Sequence, residues 1–128
     1  MREIKKRGLI FHAVGHDWTC ECLGISSTGW HKADKVPENV RPYLAEIHGE
    51  RKFFKDICLN TQLCYSQRDV REKLVEEVVG YAKNHPEIDV LHFWLADDFN
   101  NLCECEKCSK SSHADLYIRM LNEIDARL

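Results

Sequence analysis

The segment "NLCECEKC", residues 101–108, places Cys103, Cys105 and Cys108 in the spacing C-x-C-x-x-C. No other stretch restricts the chain as much, because three thiols this close must be paired, buried or bound. The chain has seven cysteines, an odd number, so a complete intrachain disulfide set is impossible. The basic start "MREIKKRGL" is not followed by an apolar stretch of signal-peptide length. Metal binding or buried free thiols are therefore expected in place of a disulfide scaffold. Three thiolates at this spacing can wrap one tetrahedral zinc, with Zn–S bonds of ~2.3 Å, and need a fourth ligand. Cys22 or Cys20, in the loop after the first expected strand, is the expected donor, with His113 and His16 as alternatives. Thiolates would fill such a site, which makes it closed and structural. Cys58 and Cys64 read as small buried hydrophobes.

At 128 residues the chain is the size of one domain, taken as residues 1–128. Its net charge of -3 and pI near 6.1 point away from nucleic acid and anionic membranes as partners. No segment reaches the roughly 20 apolar residues of a membrane span. With neither leader nor span in view, the cytoplasm is the default compartment.

The order of elements reads as α/β. "RGLIFHAVGH" is a short apolar run bounded by glycines, which predicts a buried strand. Residues 15 to 52 have weak periodicity, and a loop of that length is more often functional than idle. Inside it, "PYLAEIHGERKFF" predicts a hairpin around His48-Gly49. "DICLNTQLCYS" predicts a strand ending near Tyr65. Val70, Leu74, Val75, Val78, Val79 and Ala82 then form a helical stripe, capped by Ser66 or Asp69 and stopped by Pro86. "IDVLHFWLA" predicts another buried strand. "SSHADLYIRMLNEIDARL" predicts a last helix, capped by Ser111 or Ser112. Strand, helix, strand, loop, helix is βαβ logic, so a mostly parallel sheet is expected, as in a segment of a (β/α) barrel.

In parallel α/β folds the working side chains lie past the C-terminal ends of strands. Here those ends carry His16, Asp17 and Trp18 after the first strand, and Asp97, Asp98, Asn100 and Asn101 after the last. Adjacent carboxylates repel, so one of Asp97 and Asp98 should hold a raised pKa and be able to donate a proton. Solvated loop aspartates or an Asx turn are the plainer alternative. Trp18, Trp30 and Trp94 could present faces to sugar rings, with core packing the favoured reading for Trp94 but less so for the two loop tryptophans. His12 and His92 lie within expected strands and read as satisfied core residues.

The stretches "FHAVGHDW", "PYLAEIHGERK", "LCYSQRDVREKLVEEV", "HPEIDVLHFWLADDFNNLCECEKC" and "DLYIRMLNEI" together resemble a bacterial domain-of-unknown-function family. That family is similar to α-glucuronidases and related glycoside hydrolases with a (β/α)8 barrel. The resemblance covers residues 9 to 128, and the C-x-C-x-x-C after a strand-end aspartate is its most specific feature. It implies a carbohydrate-processing barrel with Asp98 at the family's strand-end aspartate and His16 at its first-strand histidine; Asp97 is the second candidate catalytic carboxylate, read from its place beside Asp98. His16, Trp18 and Asn100 would contact the sugar. A complete barrel takes about 250 residues, so the expectation is a piece of a larger barrel, inactive alone. An alternative from another class is a non-catalytic, zinc-stabilised binding or interaction domain. Half a barrel would leave sheet edges unpaired, which predicts a homo-oligomer through those edges.

Overall fold

The computed structural model describes residues 2–25, 29–33 and 35–128. Two helices organise it. α3, Arg68–Asn84, buries Val70, Leu74, Val75, Val78 and Val79 along one stripe, as the helical period requires. Its N-cap is Gln67, with no side-chain capping bond, and the chain leaves the helix at His85, just before Pro86. α4, His113–Asp125, buries Leu116, Met120 and Ile124 and packs on α3. Ser112 caps it by accepting a hydrogen bond from the Asp115 N–H at 3.0 Å. Leu128, expected on the apolar stripe, is exposed.

Two small helices precede them, α1 at Arg2–Lys6 and α2 at Trp18–Glu21. α2 lies inside the long stretch that reads as loop from the sequence, and it packs on α3. The strands are short: β1 is His12–Ala13, β2 is Glu46–Ile47, β3 is Glu50–Arg51 and β4 is Val90–Leu91. β2 and β3 form the expected hairpin. His48 and Gly49 both take positive φ, 52° and 78°, the backbone that a tight two-residue turn demands.

The expected barrel segment is not there. β1 and β4 pair in parallel, with His12 opposite Val90 and Ala13 opposite Leu91, and among the described residues no third strand joins them. The described residues thus hold one two-stranded parallel sheet, one two-stranded antiparallel hairpin and four α-helices. Two expected strands account for the difference. Residues 57–65 are almost wholly buried, yet they form a turn of 3-10 helix at Cys58–Asn60 and a single bridge from Leu63 to Leu44. Side chains and isolated contacts satisfy this backbone in place of a ladder. Asn101 Nδ2 donates to the Asn60 carbonyl at 2.7 Å, and the Thr61 hydroxyl donates to the Ile57 carbonyl at 2.7 Å. The Asp97 N–H donates to the Leu59 carbonyl at 2.9 Å. Around β1, Leu9, Ile10 and Val14 are exposed, so this run is not the buried strand expected of it. His12 is likewise exposed, and its Nδ1 lies 2.9 Å from Nε2 of His92 across the sheet.

The core lies between α3, α4 and the buried 57–65 segment, with Tyr65, Leu44, Leu63, Leu74 and Met120 among its fully enclosed side chains. Among the described residues no helix is long and apolar enough to cross a membrane.

Candidate metal centre and adjoining groove

Four cysteines converge where the buried segment meets the loop after β4. Cys64 arrives at the end of that segment, three residues before α3 caps. Cys103 and Cys105 lie in the loop, and Cys108 opens a short 3-10 turn. The four Sγ atoms lie within 4.8 Å of one another. Cys64 Sγ is 3.6 Å from that of Cys105 and 3.9 Å from that of Cys108. Those separations are far too long for a disulfide, and all four thiols are free. They match a tetrahedron of thiolates, in which bonds of ~2.3 Å put sulfurs ~3.8 Å apart.

The surroundings fix the sulfurs. The Glu46 N–H of β2 donates to Cys103 Sγ at 3.3 Å. The Glu104 N–H donates to the Glu46 carbonyl at 2.8 Å, and the Glu104 carboxylate accepts from the His48 N–H at 2.8 Å. The β2–β3 hairpin is thereby stitched to the cysteine loop. The Ser66 hydroxyl lies 3.4 Å from Cys64 Sγ. A hydrogen bond from the Cys103 thiol lowers the Cys64 pKa against the opposing effect of burial, and Ser66, Gln67 and Arg51 act in the same direction. Cys103 is pushed up in turn, by its bond to Cys64 and by burial. The thiols thus share protons at close range, the arrangement a divalent cation would replace.

The expected fourth donor is not the one in place. Cys64, which reads as a buried hydrophobe, completes the set, and neither Cys22 nor Cys20 belongs to it. The reason is α2. Its single turn carries Cys20 into the core, where Cys58 raises its pKa through a hydrogen bond. Cys22 faces α3, and burial followed by the charge of Glu77 pushes its thiol up to about 12. His113 packs against the Tyr65 ring, with centroids 5.7 Å apart, and is also outside the set. His16 is engaged elsewhere.

Beyond β4 the same loop lines a groove of about 480 Å³ that includes His16, Trp94, Asp98, Asn100 and His113. A second hollow, of about 610 Å³, adjoins it through His16 and Trp94 and reaches Trp30. His16 Nδ1 donates to the Leu95 carbonyl at 2.9 Å, which leaves Nε2 for a further partner. Its ring lies 5.0 Å from that of Trp94, which is 42% exposed. Asp98 and Asn100 take positive φ, 70° and 58°, backbone that Asp and Asn tolerate better than most side chains.

Asp97 and Asp98 have separate tasks. Asp97 Oδ1 accepts from the Asp98 N–H at 2.8 Å, and its Oδ2 accepts from Trp30 Nε1 at 3.3 Å. Asp98 Oδ2 accepts from Lys55 Nζ at 2.6 Å and from Asn60 Nδ2 at 3.3 Å. The expectation of a raised carboxyl pKa fails for Asp98. The Lys55 hydrogen bond, then the Phe99 N–H, hold it below the usual range. Lys55 and Asn60 lie far from Asp98 in sequence, and nothing local announces them.

The groove gathers His16, Asp98 and Asn100, three of the residues expected at a sugar site. It does not gather Trp18, which is 8% exposed and packs edge-on to Tyr81. Cys64 was the main residue missed. The signal for it is positional: a C-x-C-x-x-C loop lacks one thiolate, and Cys64 ends the neighbouring apolar run, directly before a helix. No protein-family model, no curated protein and no solved structure matches the chain.

Proposed function

We propose that this chain is a zinc-stabilised binding domain whose metal fixes a carbohydrate-binding groove. The observation that carries the reading is the closed group of four cysteine sulfurs, within 4.8 Å, with no nitrogen or oxygen ligand in it. Four thiolates suit a structural zinc and leave no position for substrate or activated water. Cys64, Cys103, Cys105 and Cys108 would hold the ion, which would supply rigidity and folding free energy.

The groove supports a carbohydrate as ligand. Trp94 offers an exposed apolar ring, and Asp98, Asn100 and His16 offer the few fixed polar groups that set a sugar's orientation. The sequence resemblance to α-glucuronidase-like hydrolases points to the same class. Hydrolysis is the second reading, favoured by the position of Asp98 in the groove. An acid catalyst needs a raised pKa, whereas Asp98 is held ionised by Lys55. In a hydrolase it would serve as the charged carboxylate of the pair.

Metal analysis of the purified, reduced protein tests the first half and should give about one zinc per chain. Cobalt substitution should add intense thiolate-to-metal absorption. Metal-free protein that is folded and indifferent to added zinc would remove the reading. Titration with neutral and uronic oligosaccharides, read by tryptophan fluorescence, tests the second half. Saturable quenching that Trp94→Ala abolishes is expected; no response to any saccharide would leave only the metal-held scaffold.

A further inference from the structure

The outer face of the β1–β4 pair carries two further metal-binding side chains. Residues of a strand alternate between faces, so His12 shares its side of β1 with Ile10 and Val14, both exposed. His92, directly after β4, shares that side with Val90 and Trp94, exposed as well, whereas Phe93 points inward and is buried. His12 itself is exposed and His92 half-buried. His12 Nδ1 and His92 Nε2 lie 2.9 Å apart, with ring centroids at 5.2 Å and ring planes inclined by 34°. The backbone holds them there: the His92 N–H donates to the Ala13 carbonyl at 2.9 Å, and the Val90 N–H to the Phe11 carbonyl at 3.2 Å. A carboxylate stands nearby. The Lys5 hydrogen bond, then the Phe11 N–H, hold the Asp89 carboxyl below its usual range, and the charge of His12 acts in the same direction.

Without metal, one imidazole donates its proton to the other. Giving up that single shared proton frees both facing nitrogens as donors, and neutral imidazole is the commonest protein ligand of transition metals. The separation decides which geometry fits. Metal–imidazole bonds are ~2.0–2.1 Å long, so two at a right angle put their nitrogens ~2.9 Å apart, and two at the tetrahedral angle ~3.3 Å. The observed spacing matches the right angle of a tetragonal or octahedral ion, which Cu²⁺ and Ni²⁺ adopt with nitrogen and oxygen donors. Hard cations such as Mg²⁺ and Ca²⁺ take oxygen instead. We propose that His12 Nδ1 and His92 Nε2 together bind a Ni²⁺ or Cu²⁺ ion, with water completing its coordination and Asp89 offsetting part of its charge. His12 then keeps its proton on Nε2 and His92 on Nδ1. The site is open and nitrogen-based, and it shares no residue with the closed cysteine cluster or with the groove beside Asp98.

Ni²⁺ is the probe, because Cu²⁺ would also oxidise thiols. It is titrated into the intact chain in the presence of one equivalent of zinc. The imidazole proton resonances, assigned with His12→Gln and His92→Gln, are followed by NMR. The paramagnetic ion should broaden His12 and His92 together, saturably, and before the other histidines. Each glutamine variant should weaken Ni²⁺ at least about tenfold at unchanged circular dichroism, since even an outer partner of a metal ligand is worth that much. His31→Gln, at an exposed residue outside the sheet, should change nothing. Should His92→Gln fold poorly, His12→Gln alone, on the exposed residue of the pair, decides the matter. Uniform broadening of all histidines, no saturable broadening below millimolar Ni²⁺, or undiminished affinity in a folded glutamine variant of the pair would each overturn the assignment.

Discussion

Replacing Cys64 by serine tests the metal centre at its least expected member. Cys64 is 1% exposed and supplies the one sulfur that comes from outside the 103–108 loop. Structural zinc in small domains is worth roughly 10–16 kcal/mol of apparent binding free energy at neutral pH. If four thiolates share it about equally, the loss of one costs roughly 2.5–4 kcal/mol. That is a drop in zinc affinity of about 100- to 1,000-fold. The serine hydroxyl is nearly isosteric, so the metal-free protein should lose far less, about 1 kcal/mol, as for a modest change in a packed core. The assay is competition for zinc against a chromogenic chelator, paired with urea unfolding in the presence and absence of excess chelator. Wild type should lose stability on chelation, and Cys64→Ser should lose less than wild type by roughly the same 2.5–4 kcal/mol. Cys22→Ser is the control, because its Sγ instead lies 3.8 Å from the Thr19 carbonyl. The reasoning is refuted if Cys64→Ser keeps wild-type zinc affinity, or if Cys22→Ser loses it.

Three further outcomes are expected. Ser112→Ala removes the cap of α4 and should cost about 1 kcal/mol in urea unfolding, with an unchanged m-value. His113 has its pKa lowered by burial, so the unfolded chain takes up its proton first. Its contribution to stability is therefore full above about pH 6.5 and declines as the pH falls through that value. Thermal melts of His113→Gln should show a shallower loss of stability between pH 7 and 5 (roughly the range of an ordinary imidazole), and an identical slope would contradict this. The unpaired β1–β4 sheet and the exposed Leu9, Ile10, Val14 and Val90 should produce concentration-dependent self-association in light scattering, reduced by Ile10→Lys. A stable monomer at high concentration would exclude that surface as a self-contact.

The elements legible in the sequence are those fixed by local chemistry. α3 and α4 follow from a sustained helical period, and the Ser112 cap and the Pro86 stop are written into adjacent residues. The hairpin follows from His48-Gly49, which can take the positive φ that its turn needs. The barrel expectation failed where an apolar run stood for a strand. Residues 57–65 are as buried as a central strand, but their backbone partners are Asn101, Thr61, Asp97 and Ala45, scattered along the chain. An apolar run records burial and is silent on whether a neighbouring strand exists. The cysteines divide in the same way. Cys103, Cys105 and Cys108 announce themselves by spacing. Cys64 could not be told from Cys58, because a buried thiol and a ligand thiol are the same residue until a fold brings others to it. For Asp98, sequence showed the neighbouring Asp97 and hence repulsion, while Lys55, which sets its charge state, stands 43 positions upstream.

The metal centre and the groove are parts of one loop, and this links the two halves of the proposed function. Among the bonds that hold the chain between β4 and Cys103 are those of Asn101, 2% exposed, whose Nδ2 donates to the carbonyls of Asn60 and Asp97 at 2.7 and 2.6 Å. On one side of Asn101 stand Asp98 and Asn100, both in left-handed backbone. On the other side the cysteines begin two residues later. Left-handed conformations at non-glycine positions persist only where their surroundings over-determine them. The buried amide of Asn101 supplies one anchor and a bound metal at Cys103 would supply the next. Removing the metal should therefore loosen the groove before it unfolds the helices, which have their own core in Leu74, Val78, Met120 and Ile124. Amide exchange makes the order visible. With chelator, protection at residues 97–105 should fall well ahead of that in α3 and α4, and saccharide binding should fall with it. Loss of protection everywhere at once would mean that the metal holds the whole domain, and the special tie between metal and groove would be gone.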